Sequence, residues 1–442
     1  MYKIFAAACA IVLFAASFVC ANPIPVRGIV EGFYGQPWSH QQRLDLMSFC
    51  RTHNLNAYIY APKDDPYHRA QWRDPYPIEL LQQLGELIRA ADRNGVQFIF
   101  AVSPGVDTDF SDRDLQAMIQ KLSTVHELGC KRFAIFFDDI DNLDGKAQAD
   151  FINRINRRFV KLNPDIQPLI TVPTEYYFDN MFDGGAVKEY TRGFSGTLDD
   201  DVLVLCTGDG VVQPNINVER LNEVDRIYRR RLGIWWNYPV NDYCPQKLAL
   251  GPVEGIPADV PAVFFNPMSA FEMSKLSLCT AADFAVDPQH YDPQSSWQRA
   301  IDELFGGLSN EMRIFAQHSQ HLKNDWADCG RDDAPILRAE FDRLLNGEDR
   351  AQTVETMLYE TLDAVQLLKA RLPDRFLVEC ILQLDQLERI INADLLAVKL
   401  IQHYDPSLEK SLRQASSEIE QHAQQAAISD DCAVRFIQDV LK

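Results

Sequence analysis

The chain has 442 residues, too many for one small domain and enough for a barrel of roughly 250 residues with a second domain behind it. Its formal charge is −20, from 63 acidic and 43 basic residues. That balance argues against nucleic acid or anionic lipid as a partner, because phosphate binding needs clustered Lys and Arg. Hydrophobic residues make up 46% of the chain and aromatic residues 10%, so a large core can be buried.

Lys3 precedes an apolar run, Ile4 to Val19, that is short for a membrane span and ends in Cys20-Ala21-Asn22-Pro23. This pattern predicts a signal peptide over residues 1–21, cut after Ala21, and export to the periplasm or beyond. Lipid attachment at Cys20 is the alternative, with Val19 a poor match before it. No later stretch is apolar for long enough to span a bilayer, so no membrane span is expected in the mature protein. Eight cysteines remain after the leader: Cys50, Cys130, Cys206, Cys244, Cys279, Cys329, Cys380 and Cys432. The first three lie in apolar runs and read as buried thiols. The later ones read as disulfide candidates whose pairing the sequence does not give.

Short runs rich in β-branched and aromatic residues then recur at Val26–Phe33, Ala57–Tyr60, Gln97–Val102, Arg132–Phe137, Gln167–Val172, Val202–Cys206, Leu232–Trp236 and Ala262–Phe265. Between them lie helical patterns, among them Gln41–His53, Leu80–Asn94, Leu115–Leu128, Ala147–Leu162 and Val218–Arg229. Eight strands alternating with helices predict an α/β fold, a (β/α)8 TIM barrel over residues 22–306. The competing open, doubly wound sheet would show a Gly-rich turn after its first strand, and Glu31-Gly32-Phe33-Tyr34-Gly35 is not one. From residue 307 the pattern changes to amphipathic helices at Glu311–Trp326, Pro335–Leu345, Thr353–Leu372, Asp374–Gln402 and Leu408–Ile428. They predict an all-α domain over residues 307–442.

Barrel enzymes build their sites from the C-terminal ends of the strands. Those ends hold Gly32-Phe33-Tyr34, Lys63-Asp64-Asp65, Asp138-Asp139, Glu175-Tyr176-Tyr177, Thr207-Gly208, Trp235-Trp236-Asn237 with Asn241-Asp242-Tyr243, and Asn266-Pro267. Carboxylates, amides and aromatic rings suit carbohydrate, whose hydroxyls need donors and acceptors and whose pyranose faces stack on rings. The set contains no His and no phosphate cradle, so no metal and no cofactor is expected.

Asp138 and Asp139 directly follow the buried run Phe133–Phe137. Two charges so close should leave one carboxyl protonated to higher pH, as a general acid requires. The plainer reading makes them helix caps or part of an acidic surface run; Asp141 and Asp144 fit that reading better. Retaining glycosidases usually pair the acid with a carboxylate nucleophile. The seventh strand ends instead in Trp235, Trp236 and Asn237. Attack by a substrate's own 2-acetamido oxygen, through an oxazoline, is the alternative geometry.

The stretches Glu31–Trp38, Tyr60–Asp65, Phe137–Ile140, Pro173–Tyr176, Trp235–Tyr243 and Phe265–Pro267 together resemble glycoside hydrolase family 84, the O-GlcNAcases and bacterial β-N-acetylglucosaminidases, some named hyaluronidases. The resemblance implies a retaining, exo-acting hydrolase of terminal β-linked GlcNAc on a glycan or glycoprotein. It implies that Asp138 orients the acetamide and Asp139 is the general acid/base. Gly32, through its carbonyl, and Lys63 would contact sugar hydroxyls. Asn237, Asp242 and Asn266 would hold hydroxyls or the acetamide. Tyr176 and Trp235 would wall the acetamide pocket, with Thr207 and Val211 nearby. Plainer roles exist for some of these: a turn for Gly32, a surface pair with Asp64 or Asp65 for Lys63, packing for Tyr176 and for one of the two tryptophans. A non-catalytic GlcNAc-binding protein and an endo-acting enzyme on hyaluronan or another polymer are the competing readings. The resemblance leaves a homodimer open.

Overall fold

Eight short runs that are apolar on both faces close into an all-parallel barrel in the computed structural model, which describes residues 22–442. The expected signal peptide lies outside the described residues. The strands are β1 (Val26–Glu31), β2 (Ala57–Tyr60), β3 (Gln97–Val102), β4 (Arg132–Phe136), β5 (Ile170–Val172), β6 (Leu203–Cys206), β7 (Gly233–Trp236) and β8 (Ala262–Phe265). Each pairs with the next, and β8 closes on β1 with Ile29 opposite Phe265. Alternate residues point into the lumen, among them Val30, Ile59, Ile99, Ala101, Ala134, Phe136, Trp235 and Phe264. Their neighbours Ile29, Tyr58, Phe100, Ile135, Trp236 and Phe265 face the helices. The two tryptophans thus separate as strand alternation requires: Trp235 inside, Trp236 in the outer core.

Local signals set the helix starts. Ser39 and Gln42 form a capping box on His40–Thr52, and the Asp144 side chain accepts from the Ala147 N–H at 2.9 Å to start Gly145–Arg158. Asp144 is therefore a cap, and Asp138 and Asp139 are not. The seventh connection departs from the repeat: residues 237–261 contain no helix. Five prolines, Pro239, Pro245, Pro252, Pro257 and Pro261, forbid one. Its backbone is satisfied from outside: Ser277 donates to the Gly251 carbonyl at 2.7 Å, and the Leu250 N–H donates to the Ser319 carbonyl at 2.7 Å.

Behind the barrel lie helices Ser309–Ala316, Pro335–Leu345, Ala351–Arg371, Asp374–Gln402, Pro406–Ala423 and Arg435–Val440. The helix expected over Glu311–Trp326 stops at Ala316, and Leu322–Lys323 pairs antiparallel with Asp328–Cys329. Tertiary bonds take the place of helical ones here. Asp333 Oδ1 accepts from the N–H groups of Gln320 (2.8 Å) and His321 (3.1 Å), and Ser319 donates to the Leu248 carbonyl at 2.7 Å. Asn324 Oδ1 then accepts from the N–H groups of Trp326 and Ala327, fixing a tight turn.

The disulfide expectation for the later cysteines is corrected. All eight described cysteines are free and buried. Their thiols lie in apolar packing or against polar groups, as Cys329 does against the Tyr243 hydroxyl at 3.3 Å. Among the described residues no helix is long and apolar enough to cross a membrane.

Candidate active site

The C-terminal strand ends open into a cavity of about 550 Å³. It is lined by Gly32, Lys63, Asp138, Asp139, Tyr176, Thr207, Val211, Trp235, Asn237, Asp242 and Asn266, so every site residue expected from sequence borders one space. Tyr34, Val172, Leu205, Cys206, Val212, Val240, Tyr243 and Trp326 complete the lining.

Asp138 continues the inward series Ala134 and Phe136 of β4, and it is 6% exposed. Its Oδ2 is ion-paired with Lys63 Nζ. Burial alone would push this carboxyl up; Lys63, helped by Arg69, outweighs burial and holds it below its ordinary value. For Asp138 this reverses the direction that the adjacency of two carboxylates predicts. Lys63 is free to reach Asp138 because Asp65 is engaged elsewhere. The hydroxyls of Tyr60 and Tyr76 both donate to Asp65 Oδ2 at 2.8 Å, and the Tyr67 N–H donates to Oδ1 at 2.9 Å. Glu31, in the first motif, is also structural: Arg43 grips both its oxygens at 2.8 Å on the outer side of β1.

Asp139 is exposed and adopts φ of 55°, a left-handed conformation uncommon outside glycine and tolerated best by Asn and Asp. Two phenols fix its carboxylate: Tyr176 donates to Oδ1 at 2.9 Å and Tyr34 to Oδ2 at 2.8 Å. Burial, and then the Asp139 charge, push both phenols upward, so they stay protonated donors. Arg69 braces the arrangement, donating to the Tyr34 oxygen at 2.7 Å and to the Asp139 carbonyl at 2.8 Å.

The opposite wall is a chain of amides whose orientation one donor sets. The Trp235 indole can only donate, and it meets Asn237 Oδ1 at 2.8 Å. Asn237 Nδ2 must then donate outward, to the Val211 carbonyl at 2.9 Å. Asn266 Nδ2 donates to the same Asn237 oxygen at 3.1 Å, and its own oxygen accepts from the Gly32 N–H at 3.2 Å. Gly32 is required by close approach rather than by a turn, because a Cβ there would stand 2.3 Å from Trp235 Cζ2. Thr207 donates to the Gly210 carbonyl at 2.6 Å, shaping the loop that carries Val211. Asp242 accepts from the Tyr34 N–H at 2.8 Å, and burial raises its carboxyl above the ordinary value.

Three contributors carry no role implied by the resemblance. Tyr34 and Tyr243 lie within its motifs and line the cavity. Trp326 comes from the hairpin turn outside the barrel, 57% exposed, with its ring 5.2 Å from that of Tyr243. Among the described residues no cluster of three or more His, Cys, Asp or Glu side chains is arranged for a metal ion.

Comparison with known proteins adds to this geometry. A β-N-acetylglucosaminidase family model matches residues 27–317, and a hyaluronidase post-catalytic domain-like model matches residues 337–437. The protein O-GlcNAcases of Rattus norvegicus and Mus musculus are each 36% identical over 267 residues, 58% of this chain. That stretch spans 29% of those longer proteins. A solved structure described as CpGH84B superposes with a TM-score of 0.88 at 36% identity, over 94% of this chain and 77% of its own. A mutant O-GlcNAc hydrolase of Thermobaculum terrenum superposes with a TM-score of 0.82 at 31% identity, over 94% of both chains.

Proposed function

The chain belongs to the β-N-acetylglucosaminidase family of glycoside hydrolases, and we propose that it removes single β-linked GlcNAc residues from glycoconjugates, protein O-GlcNAc foremost, with retention of configuration. The carrying observation is that Asp138 and Asp139 share one cavity with Trp235 and Asn237, not a carboxylate, at the end of β7. A cavity of about 550 Å³ is in the range of small-molecule pockets, about 300–1,000 Å³, and suits one sugar with its acetamide better than a polymer groove.

In this reading the substrate's acetamide oxygen attacks the anomeric carbon as the glycosidic bond breaks. Asp139 gives its proton to the departing oxygen. Asp138, kept ionised by Lys63, accepts a hydrogen bond from the acetamide N–H and offsets the positive charge of the forming oxazoline ring. Asp139, now a carboxylate, takes a proton from water as that water attacks the same carbon from the vacated side. The ring opens and the acetamide is restored. Asn237, Asp242, Asn266 and Lys63 hold hydroxyls, while Trp235 and Tyr176 with Thr207 and Val211 enclose the acetyl group.

Release of phenol from an aryl N-acetyl-β-glucosaminide, with the β-anomer of GlcNAc as the first product seen by NMR, tests the reading. No turnover from mildly acid to neutral pH would sink it. Oligosaccharides released from hyaluronan would point to the endo-acting alternative.

A further inference from the structure

Three buried polar side-chain atoms at the C-terminal ends of β3 and β4 have no hydrogen-bond partner among the described residues: Asp138 Oδ1, His68 Nε2 and Ser103 Oγ. Buried polar groups are nearly always satisfied, so three together call for an explanation.

The fold brings them to one place. β3 and β4 pair Val102 with Ile135, so Ser103 stands beside Phe136. Ser103 follows the inward residues Ile99 and Ala101, and Asp138 follows the inward Ala134 and Phe136. Strand alternation therefore aims both side chains into the lumen, Asp138 one layer above Ser103. His68 is clipped over the end of β3: its Nδ1 meets the Ala101 carbonyl at 2.8 Å, and its own carbonyl accepts from the Ser103 N–H at 2.9 Å. The charges of Lys63, Asp65 and Asp138 all act on its ring. Burial dominates and pushes the ring down to about 4, so it is neutral. A neutral ring that donates from Nδ1 to a carbonyl leaves Nε2 as a bare acceptor.

The inventory is then two acceptors, His68 Nε2 and Asp138 Oδ1, and one hydroxyl. No direct pairing satisfies all three. One water does: it donates one hydrogen to each acceptor and accepts from Ser103. We propose that His68 and Ser103 hold a single buried water against Oδ1 of Asp138, and that they are positioning residues for the acetamide step. The water pins Oδ1 from behind and stops the carboxylate from turning about its Cβ–Cγ bond. Oδ2 stays aimed at Lys63 and the cleft. The catalytic part of this inference rests on the role given to Asp138 above.

Two substitutions at His68 separate positioning from packing. In His68→Asn the amide nitrogen takes the place of Nδ1 and keeps the Ala101 bond, but nothing reaches the place of Nε2. In His68→Gln the terminal amide reaches the place of Nε2 and the Ala101 bond is lost. The expected result is that His68→Asn melts like wild type and loses tenfold or more in kcat, with KM within twofold. His68→Gln should recover most of kcat even where it melts earlier, and Ser103→Ala should track His68→Asn. Across N-acetyl, N-fluoroacetyl and N-trifluoroacetyl substrates, His68→Asn should fall off more steeply than wild type. A glutamine variant slower than the asparagine variant, or wild-type kcat in both, overturns the positioning role. The water itself is read separately, in a high-resolution crystal structure of the unliganded protein. Density for one water within hydrogen-bonding distance of all three atoms is expected, and its absence overturns the proposal even if the protein turns over no glucosaminide. In that last case it is the functional reading that fails, on its own assay.

Discussion

Burial pushes the Asp138 carboxyl up, and Lys63, with Arg69 behind it, reverses that direction. Its folded value lies below the ordinary carboxylate value of about 3.9. Its ionisation therefore contributes stability above that value and loses it as pH falls through the lower, folded one. Lys63→Met removes the largest opposing charge and leaves mainly Arg69 against burial, so the carboxyl rises. The acid limb of the kcat/KM profile should then move to higher pH, whatever happens to its height; an unmoved limb would show that Lys63 does not set the charge. The sequence made this pair readable only in part. Lys63 and Asp138 each stand at a strand end, but their pairing depends on Asp65 being taken by Tyr60 and Tyr76, which no local pattern announces. In the same way, Tyr34 and Arg69 gain their place from the left-handed backbone at Asp139, visible only in three dimensions.

Strands were the most legible elements because a parallel barrel buries both strand faces, leaving continuous apolar runs such as Phe98–Val102 and Phe133–Phe136. The seventh connection and the Leu322–Cys329 hairpin were least legible. Spacing of apolar residues continues helically past Ala316, but what decides the conformation there is distant: Asp333 claims the amides of Gln320 and His321. That switch from helix to hairpin puts Trp326 beside Tyr243 at the mouth of the cavity, where a departing group must lie. Trp326→Ala should raise KM for a GlcNAc-bearing peptide several-fold while changing that for a methyl glycoside little, because a flat exposed ring contributes contact area only to a large leaving group. Parallel steady-state kinetics on the two substrates check this; equal effects would place Trp326 outside the recognition surface.

Across the whole molecule, barrel and helical region are joined by an ion cluster in which Lys247 and Asp333 are buried and Asp430 is exposed. Lys247, in the seventh connection, reaches Asp333 at 2.7 Å and Asp430 at 3.0 Å. Against the cost of burial, the two carboxylates raise the ammonium above its ordinary value. Gln383 donates to the Gln246 carbonyl at 3.1 Å beside it. Lys247→Met should cost about 3–5 kcal/mol, since Asp333 is left buried without its cation. Denaturant unfolding measures it; a loss under 1 kcal/mol would show that the ion cluster adds little to the join. Asn241 donates to the Lys247 carbonyl at 2.7 Å, one residue before Asp242 in the cavity lining, so the same substitution should also lower activity. The eight buried thiols carry a different consequence. Among the described residues no covalent cross-link is present, and noncovalent forces hold that fold together. The described fold therefore needs no oxidant or disulfide isomerase, and a reducing agent strong enough to open secreted disulfide proteins should leave it intact.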